Sequence, residues 1–467
     1  MRIYFIVFIA FLNLNLLAQT EANLLGRWSD PSIIGSATFD NAYNEIWGYA
    51  SNGREYAIIG STAGTHFIDV TDPTQPQELF LVPGADNGSN IIHRDYHDLD
   101  GFLYVVADEG ASTLQIIDLR FLPAKVEVLY DSDELLRRSH NIFIDEATRR
   151  LYTLIAGGGP ASFDAMRVYD ITDPLNPVLL SRINNIGTFT FSQVHDGFIK
   201  DNIAYLNLGP GGFCIADFTD PVNPVILGTL TDYPQSGYNH SGWLSNDGNY
   251  YYMADETWGM DIKVLDVSDP SDIEVVGFIN AASAAPTTIP HNQVVACDFL
   301  YVSYYYDGLQ VYDISDPSNP VRSHFYDTSS RPDARNYEGA WGVYPFLPSG
   351  NILVADMQEG LFVFESVDDC TEDRSQFQNI FITSTEETFA AELIISPNPV
   401  RDVLSLQIDR PFTEERVLQI FDLSGSLILN QILAPSSTHV EIPVSHLPKG
   451  MYLIDFNGQA RKKLVKL

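Results

Sequence analysis

The sequence predicts an all-β protein: a seven-bladed β-propeller of four-stranded blades, followed by a small C-terminal β-sandwich. The first observation is a phrase, Asp-x-Ser/Thr-Asp-Pro, that recurs through most of the chain. Its five copies begin at Asp69, Asp170, Asp217, Asp266 and Asp313. A degenerate copy at Asp118 fills the one gap, and successive copies are 47 to 52 residues apart. A fixed period of this size is typical of solenoids and propellers, which repeat one supersecondary unit.

The second observation is that each repeat contains short runs of strand-forming residues. These runs are rich in β-branched and aromatic residues and are bounded by Gly, Pro, Asn and Asp. No apolar pattern of helical period and length appears between residues 24 and 366. Laid over one another, the repeats give seven units of about 49 residues with four strands each. That arrangement describes a seven-bladed propeller.

The third observation concerns the two ends of the array. The seventh unit reaches its third strand at Leu361–Glu365 and then loses the repeat. A segment that matches the missing fourth strand, Leu24–Trp28, stands at the other end of the chain. The N-terminal strand is therefore expected to complete the last blade, because closure removes an open sheet edge.

The phrase itself is interpreted as the turn between the third and fourth strands. Proline fixes the φ angle that begins a turn, and Asp, Ser and Thr side chains accept hydrogen bonds from the amides of the turn. Calcium at these repeated carboxylates is the less well supported alternative, because no copy has the alternating oxygen ligands of an EF-hand loop.

The flanking regions divide the rest of the chain. Residues 1–19 have one basic residue, a short apolar run and a small residue at a plausible cleavage point, which is typical of a signal peptide. Residues 20–366 are predicted to form the propeller, and the polar residues 367–391 are predicted to form a linker. Residues 392–467 contain alternating apolar runs and are predicted to form the β-sandwich. No later segment is a candidate transmembrane helix.

Composition narrows the classes of function. The chain has 61 Asp and Glu against 26 Lys and Arg, a formal charge of −35. Such a surface argues against nucleic-acid binding, which needs clustered cations, and is typical of a soluble exported protein. The three cysteines form neither a disulfide framework nor a metal-binding spacing, and Cys214 and Cys297 are predicted to be buried thiols.

The residues best suited to metal binding or catalysis lie at the starts of the seven units. Two starts carry Trp47 and Trp341, and five carry histidine. The histidines are His97, His140, His195, His240 and His291. In a propeller the innermost strand begins on the same face as the turn between the second and third strands, so acidic residues of those turns should meet the histidines. The acidic residues are Asp108, Glu109, Asp255, Glu256, Asp307, Asp356 and Glu359.

Two interpretations of this His ring remain open. Imidazole and carboxylate together are the ligand set of zinc, iron or copper, and the same groups act as acids and bases, so the mouth of the central channel is a candidate metal or ligand site. Alternatively, the histidines only pack at an equivalent position of each blade, since Trp47 and Trp341 occupy that position without being ligands. The identity of any metal is left open.

Both parts of the chain resemble known families. Repeats such as Leu309–Pro320 resemble the LVIVD repeat, and the whole of 24–366 resembles the choice-of-anchor B family, which implies a propeller and no particular reaction. The C-terminal unit resembles the type A sorting domain of the type IX secretion system of Bacteroidetes. The matching segments are Ser396–Val400, Ile420–Gly425, Leu447–Leu453 and the closing 462–467. This resemblance implies export across both membranes and contact with the type IX machinery.

Together these observations predict a secreted or surface-attached propeller that acts as a binding or interaction module. Its ligand would be a surface protein or a glycan, since several tyrosines of the Tyr-rich strands are expected to be exposed. The alternative function is a metal-dependent hydrolase or lyase that uses the His ring and the acidic turns. No nucleic-acid partner is predicted.

Overall fold

The structure is a computed structural model, and it is described for nine stretches of the chain. These are residues 20–157, 163–281, 288–368, 393–396, 400–408, 416–422, 427–433, 439–456 and 460–466. The predicted signal peptide and nearly all of the predicted linker lie outside them. The chain divides into two compact units, residues 1–381 and 382–467, and each is described by itself.

The first unit is a ring of seven four-stranded antiparallel blades, preceded by β1 (Thr20–Glu21) and β2 (Leu24–Trp28). Blade one comprises β3 (Tyr43–Ser51), β4 (Arg54–Ser61), β5 (Gly64–Asp69) and β6 (Gln77–Pro83). Blade two comprises β7 (Arg94–Leu99), β8 (Phe102–Ala107), β9 (Leu114–Asp118) and β10 (Glu127–Ser132). Blade three comprises β11 (Asn141–Asp145), β12 (Arg150–Gly157), β13 (Phe163–Asp170) and β14 (Val178–Ile183). A small hairpin follows, formed by β15 (Asn185–Ile186) and β16 (Phe189–Thr190).

The remaining blades repeat this order. Blade four comprises β17 (Asp196–Lys200), β18 (Ile203–Asn207), β19 (Phe213–Asp217) and β20 (Val225–Leu230). Blade five comprises β21 (Asn239–Leu244), β22 (Tyr250–Asp255), β23 (Ile262–Asp266) and β24 (Glu274–Ile279). Blade six comprises β25 (Asn292–Ala296), β26 (Phe299–Ser303), β27 (Leu309–Asp313) and β28 (Val321–Tyr326). Blade seven comprises β29 (Ala340–Tyr344), β30 (Ile352–Asp356) and β31 (Gly360–Phe364), completed by β2.

The predicted closure of the ring is confirmed. Strand β2 pairs antiparallel with β31, with Leu24 opposite Phe364 and Trp28 opposite Leu361. The sequence did not indicate a second contact, in which β1 pairs in parallel with β28 of blade six. The N-terminal segment therefore joins two blades, and it leaves no free edge at the third strand of blade seven.

The repeated phrase forms the turn between the third and fourth strands, as predicted. In blade four the carboxylate of Asp217 accepts the amide N–H of Thr219 at 2.7 Å, and Asp220 accepts that of Val222 at 3.0 Å. The other four copies make the same two bonds. Each phrase is thus two consecutive Asp-capped turns.

A glycine in some fourth strands allows neighbouring blades to touch at this turn. A Cβ atom on Gly228 would lie 1.6 Å from the carbonyl oxygen of Pro270 in the phrase of blade five. A Cβ atom on Gly26 in β2 would lie 2.2 Å from the carbonyl oxygen of Pro73 in blade one. The phrase therefore closes a turn within its own blade and packs against the fourth strand of the preceding blade.

The hydrophobic core of the first unit lies between adjacent blades. One buried cluster joins residues of blades three and four, for example Leu154 and Leu206, and another joins blades five and six through Val264 and Val302. Inner and middle strands are buried almost throughout, whereas a fourth strand such as β24 alternates exposed and covered residues. Fourth strands therefore form the outer surface of the ring.

One cysteine prediction is confirmed and one is wrong. Cys214 is free and buried, and burial raises the pKa of its thiol to about 12. Cys297 is disulfide-bonded. It lies in the turn between β25 and β26, at a positive φ of 55°, and is only half-buried, so it is not a buried thiol.

The second unit contains two small antiparallel sheets. One has the order β32 (Leu393–Ser396), β33 (Val403–Ile408) and β36 (His439–Pro443). The other has the order β35 (Leu427–Leu433), β34 (Arg416–Asp422), β37 (Gly450–Phe456) and β38 (Ala460–Lys466). Leu404 and Ile442 of one sheet share a buried cluster with Leu418 and Ile454 of the other, as expected for a sandwich. Residues 397–399 and 423–426 of the sorting motifs lie outside the described residues.

Within the described part of the chain, no helix has the length and apolar character needed to cross a membrane.

Candidate functional site

Six aromatic side chains form a closed ring where the inner strands begin. Each comes from a different blade, from blade two to blade seven, and neighbouring ring centroids are 4.2 to 5.4 Å apart. The members are His93, His140, His195, His240, His291 and Trp341. Blade one places Asn44 at this level, where its side-chain amide donates to the carbonyl oxygen of Ile92. Four of the five predicted histidines are thus brought together.

His97 is the predicted histidine that does not join this ring. It lies deeper in the channel, beside Trp47 at 4.6 Å and Phe143 at 5.2 Å between ring centroids. The sequence prediction placed Trp47 and His97 at the same level as the other histidines. Both belong to a deeper layer, three residues further along their strands.

His93 takes the place that the prediction assigned to His97. Phe143 and His97 are in contact and hold the same strand position in neighbouring blades. The residues three positions earlier are His140 in blade three and Arg94 in blade two. Arg94 therefore holds the strand position of a ring histidine. The guanidinium of Arg94 turns away and donates to the carbonyl oxygen of Ser61 at 2.9 Å. The preceding His93 then fills the gap between His140 and Trp341. The sequence signal that His93 joins the ring was Arg94, a basic residue at the strand position of a ring histidine.

Three ring histidines are fixed by the backbone of the next blade. The Nδ1 atoms of His195 and His240 each lie 3.1 Å from the carbonyl oxygen of the following ring histidine, and Nδ1 of His291 lies 2.5 Å from that of Trp341. Because a carbonyl oxygen only accepts, each Nδ1 carries a proton and donates it. Burial lowers the pKa of His195 and His240 well below its usual value and that of His291 to about 3. These three imidazoles are neutral, with the lone pair on Nε2.

His140 is held differently, by a carboxylate. Its Nδ1 lies 2.9 Å from Oδ2 of Asp108. Burial alone would lower the pKa of His140, but the hydrogen bond and the charge of Asp108 outweigh burial and raise it. A carboxylate that orients an imidazole in this way is the usual second partner of a metal-bound histidine, because it fixes the tautomer and the ring orientation.

Two further acidic residues of the prediction lie at the ring. Oε2 of Glu256 is 3.9 Å from Nε2 of His240, and Oε1 accepts the hydroxyl hydrogen of Tyr305 at 2.6 Å. Burial raises the pKa of Glu256 to about 7. Oε2 of Glu109 accepts the amide N–H groups of Ile92 and His93. Glu109 therefore orders the segment that carries His93.

The other predicted acidic residues hold other parts of the fold. Asp255 lies in a fully buried ion pair with Lys263, with Oδ2 2.6 Å from Nζ. Asp356 accepts the hydroxyl hydrogen of Thr328 at 2.7 Å. Glu359 is paired with Arg27 of the N-terminal strand at 2.8 Å. Asp307 lies in the turn between β26 and β27, where its charge acts on Tyr304 and Tyr312. These four carboxylates are not assigned to the ring site.

The ring contains two sets of side chains that fit a metal ion. His140, His195 and His240 offer ligand atoms that lie within 4.8 Å of one another, and so do His240, Glu256 and His291. Nitrogen ligands of a tetrahedral zinc ion lie about 3.3 Å apart, given zinc–nitrogen distances of about 2.0 Å. Small side-chain movements would therefore bring either set onto an ion.

A cover of aromatic side chains, which the sequence did not predict, lies over the ring. Tyr238 lies 5.2 Å from His195, and Tyr305 lies 4.9 Å from His291, between ring centroids. Tyr337 contacts Tyr305 at 5.5 Å and Trp258 at 5.3 Å. The site is thus covered by side chains from loops of blades five to seven, and the burial of the ring favours neutral imidazoles.

A layer of buried carboxylates lies one residue beyond the ring and was also missed. Glu45, Asp95 and Asp196 line a cavity of about 90 Å³ together with Asn141 and Asn292. Burial raises the pKa of Glu45 to about 8, of Asp95 to about 7 and of Asp196 to about 6. The channel therefore has three layers: the His ring, these carboxylates, and the aromatic layer that contains His97.

Comparisons with known proteins identify both units. Residues 395–467 match the family model of the secretion system C-terminal sorting domain, and residues 240–280 and 293–328 match that of the LVIVD repeat. No curated protein matches the chain. Among solved structures, the computationally designed Ika8 protein is similar with 10% identity and a TM-score of 0.42, over 94% of this chain and all of that one. The chain thus carries LVIVD repeats in its propeller and ends in a sorting domain that directs export through the type IX secretion system, to the cell surface or the medium.

Proposed function

We propose that the exported propeller is a binding module whose ligand site is the His ring, and that the ligand is a divalent transition metal ion such as zinc or copper. One observation carries this proposal. His195, His240 and His291 are neutral and fixed through Nδ1, and no hydrogen-bond partner of their Nε2 atoms occurs among the described residues. An array of oriented, unprotonated imidazole nitrogens is what such ions bind.

The competing explanation is that the ring only links neighbouring blades. It accounts for the Nδ1 atoms, since each bond runs from one blade to the backbone of the next. It gives the Nε2 atoms no role, since no hydrogen bond to them occurs among the described residues. The carboxylate of Asp108 behind His140 adds a feature that metal sites share and that a packing node does not need.

The variant His240→Asn separates these explanations. The side-chain nitrogen of Asn is the same number of bonds from Cα as Nδ1 of His. The variant therefore keeps a donor to the carbonyl oxygen of His291 but lacks Nε2. Wild-type chain loaded with zinc or copper and then desalted is expected to retain stoichiometric metal by elemental analysis. The variant should bind the metal at least about tenfold more weakly, as expected for loss of a ligand, with its melting temperature nearly unchanged.

The matched control is His97→Asn. His97 is buried in the same channel, and its Nδ1 also lies near a carbonyl oxygen, that of Asp98, but it lies outside the ring. This variant should retain the metal. A wild-type chain that retains neither zinc nor copper, or equal metal loss in both variants, would contradict the proposal.

A metal-dependent hydrolase is the second candidate, and Glu256 favours it. A carboxyl group with a pKa of about 7, 3.9 Å from the Nε2 atom of His240, is suited to take a proton from a metal-bound water. If this is its role, Glu256→Gln should keep the metal through the three-histidine set and lower kcat for an activated ester or phosphoester about 100-fold. A zinc-loaded wild-type chain that leaves both substrate classes intact would restrict the site to binding.

A further inference from the structure

A second cavity opens at the opposite end of the channel, where the inner strands end. It has a volume of about 420 Å³, within the range of small-ligand sites. Four aromatic residues form part of its wall: Phe198 lies 5.4 Å from Phe143 and 5.0 Å from Trp243, and Trp243 lies 6.0 Å from Phe346, between ring centroids. Because the blades are antiparallel, this mouth lies on the face that carries the repeated Asp-Pro turns.

The lining of this cavity has an excess of negative charge. Asp145, Glu146 and Asp201 line it, against one cation among the lining residues, the exposed Lys200. Asp145 accepts the amide N–H of Asn202. Among the described residues, no hydrogen bond or ion pair involves the half-buried carboxyl group of Glu146. A bound ligand could therefore supply the partner of this carboxylate.

His97, which lines this cavity, carries no positive charge that would repel a cationic ligand. Burial lowers the pKa of His97 to about 4, so its ring is neutral at physiological pH. Glu146 is affected in the opposite sense, because burial and the negative charges of Asp98, Asp100 and Asp145 raise its pKa to about 7. A cation beside Glu146 would favour the ionised carboxylate and relieve this repulsion.

We propose that this cavity binds a small organic cation, an alkylated ammonium group whose methyl groups contact the aromatic rings while its charge faces Glu146. Aromatic faces attract such cations more strongly when the site is desolvated. The walls of Phe143, Phe198 and Trp243 supply those faces, and Glu146 supplies the counter-charge. This inference is independent of the metal proposed at the other mouth.

The probe pair is choline and its neutral isostere 3,3-dimethylbutan-1-ol, titrated by calorimetry into the purified full chain. Choline is expected to bind at least about tenfold more tightly than the isostere, since only choline gains the cation–π and ionic terms. Glu146→Gln should weaken choline binding and leave binding of the isostere unchanged. Trp243→Leu should weaken choline binding by about tenfold or more.

The matched control for Glu146→Gln is Glu134→Gln, the same change at an exposed residue that does not line the cavity. It should bind choline like the wild type. Equal affinity for choline and the isostere would overturn the inference in favour of a neutral apolar ligand, and the absence of choline binding at millimolar concentration would overturn it outright. Because Glu146 is partly exposed, its variant tests the inference even if Trp243→Leu does not fold.

Discussion

Replacing Lys263 with Met is expected to lower the free energy of unfolding by about 3–5 kcal/mol. Lys263 and Asp255 are both fully buried, and the only other donor to the carboxylate of Asp255 among the described contacts is the hydroxyl group of Tyr233 at 2.8 Å. The Met side chain fills the space of the lysine but leaves a buried carboxylate without its cation. Urea unfolding followed by tryptophan fluorescence measures the propeller alone, because all five tryptophans lie in the first unit.

The same change at an exposed ion pair is the control. Lys125 and Glu127 are paired at 2.8 Å with about half of each side chain exposed, so Lys125→Met should change the free energy of unfolding by less than about 1 kcal/mol. Similar small losses in both variants would contradict the assignment of Asp255 to a structural ion pair. Metal content should be unaffected by Lys263→Met as long as the propeller is folded.

Removing residues 20–28 should abolish the folded monomer. The deletion takes away β1 and β2, exposes the edge of β31, and removes the contacts of Trp28 with Tyr43 and His66. Loss of a large packed aromatic residue alone costs about 3–5 kcal/mol, which approaches the stability of a typical domain. An exposed strand edge also invites pairing between chains. Size-exclusion chromatography and thermal unfolding of a chain that begins at residue 29 measure both effects.

The control for this deletion is Arg27→Ala in the full chain. It removes the partly exposed ion pair with Glu359 and the contact with the ring of Phe362, but keeps the strand. Its expected cost is about 1 kcal/mol or less. A deletion variant that remains monomeric and has the melting temperature of the wild type would show that β2 does not close the ring.

The fold was predictable because its determinants are local and repeated. The phrase at Asp217–Pro221 encodes its own turn through bonds that span two residues, and every copy repeats them. Strand-forming runs between these turns then determine the number of strands per blade. Even the closure at Leu24–Trp28 was visible, because the missing strand of one unit had a counterpart of the same pattern elsewhere.

The candidate site was predictable only in part. Repeat position identified His140, His195, His240 and His291, which share one strand position. It did not identify His93, which replaces a residue whose side chain turns away. It also grouped Asp255 with Glu256, although neighbouring residues of a strand end point to opposite faces and only Glu256 reaches the ring.

By itself the sequence determined the architecture, the route of export and the set of histidines from which the ring is built. The tertiary structure alone decided that Nδ1 of three ring histidines bonds to a neighbouring blade, which carboxylates reach the ring, and that a cavity lined by Glu146 lies at the other mouth. The physical reason is distance along the chain. Turns and strands depend on residues a few positions apart, whereas each contact around the channel joins residues about one blade apart, and no local pattern records how those side chains meet.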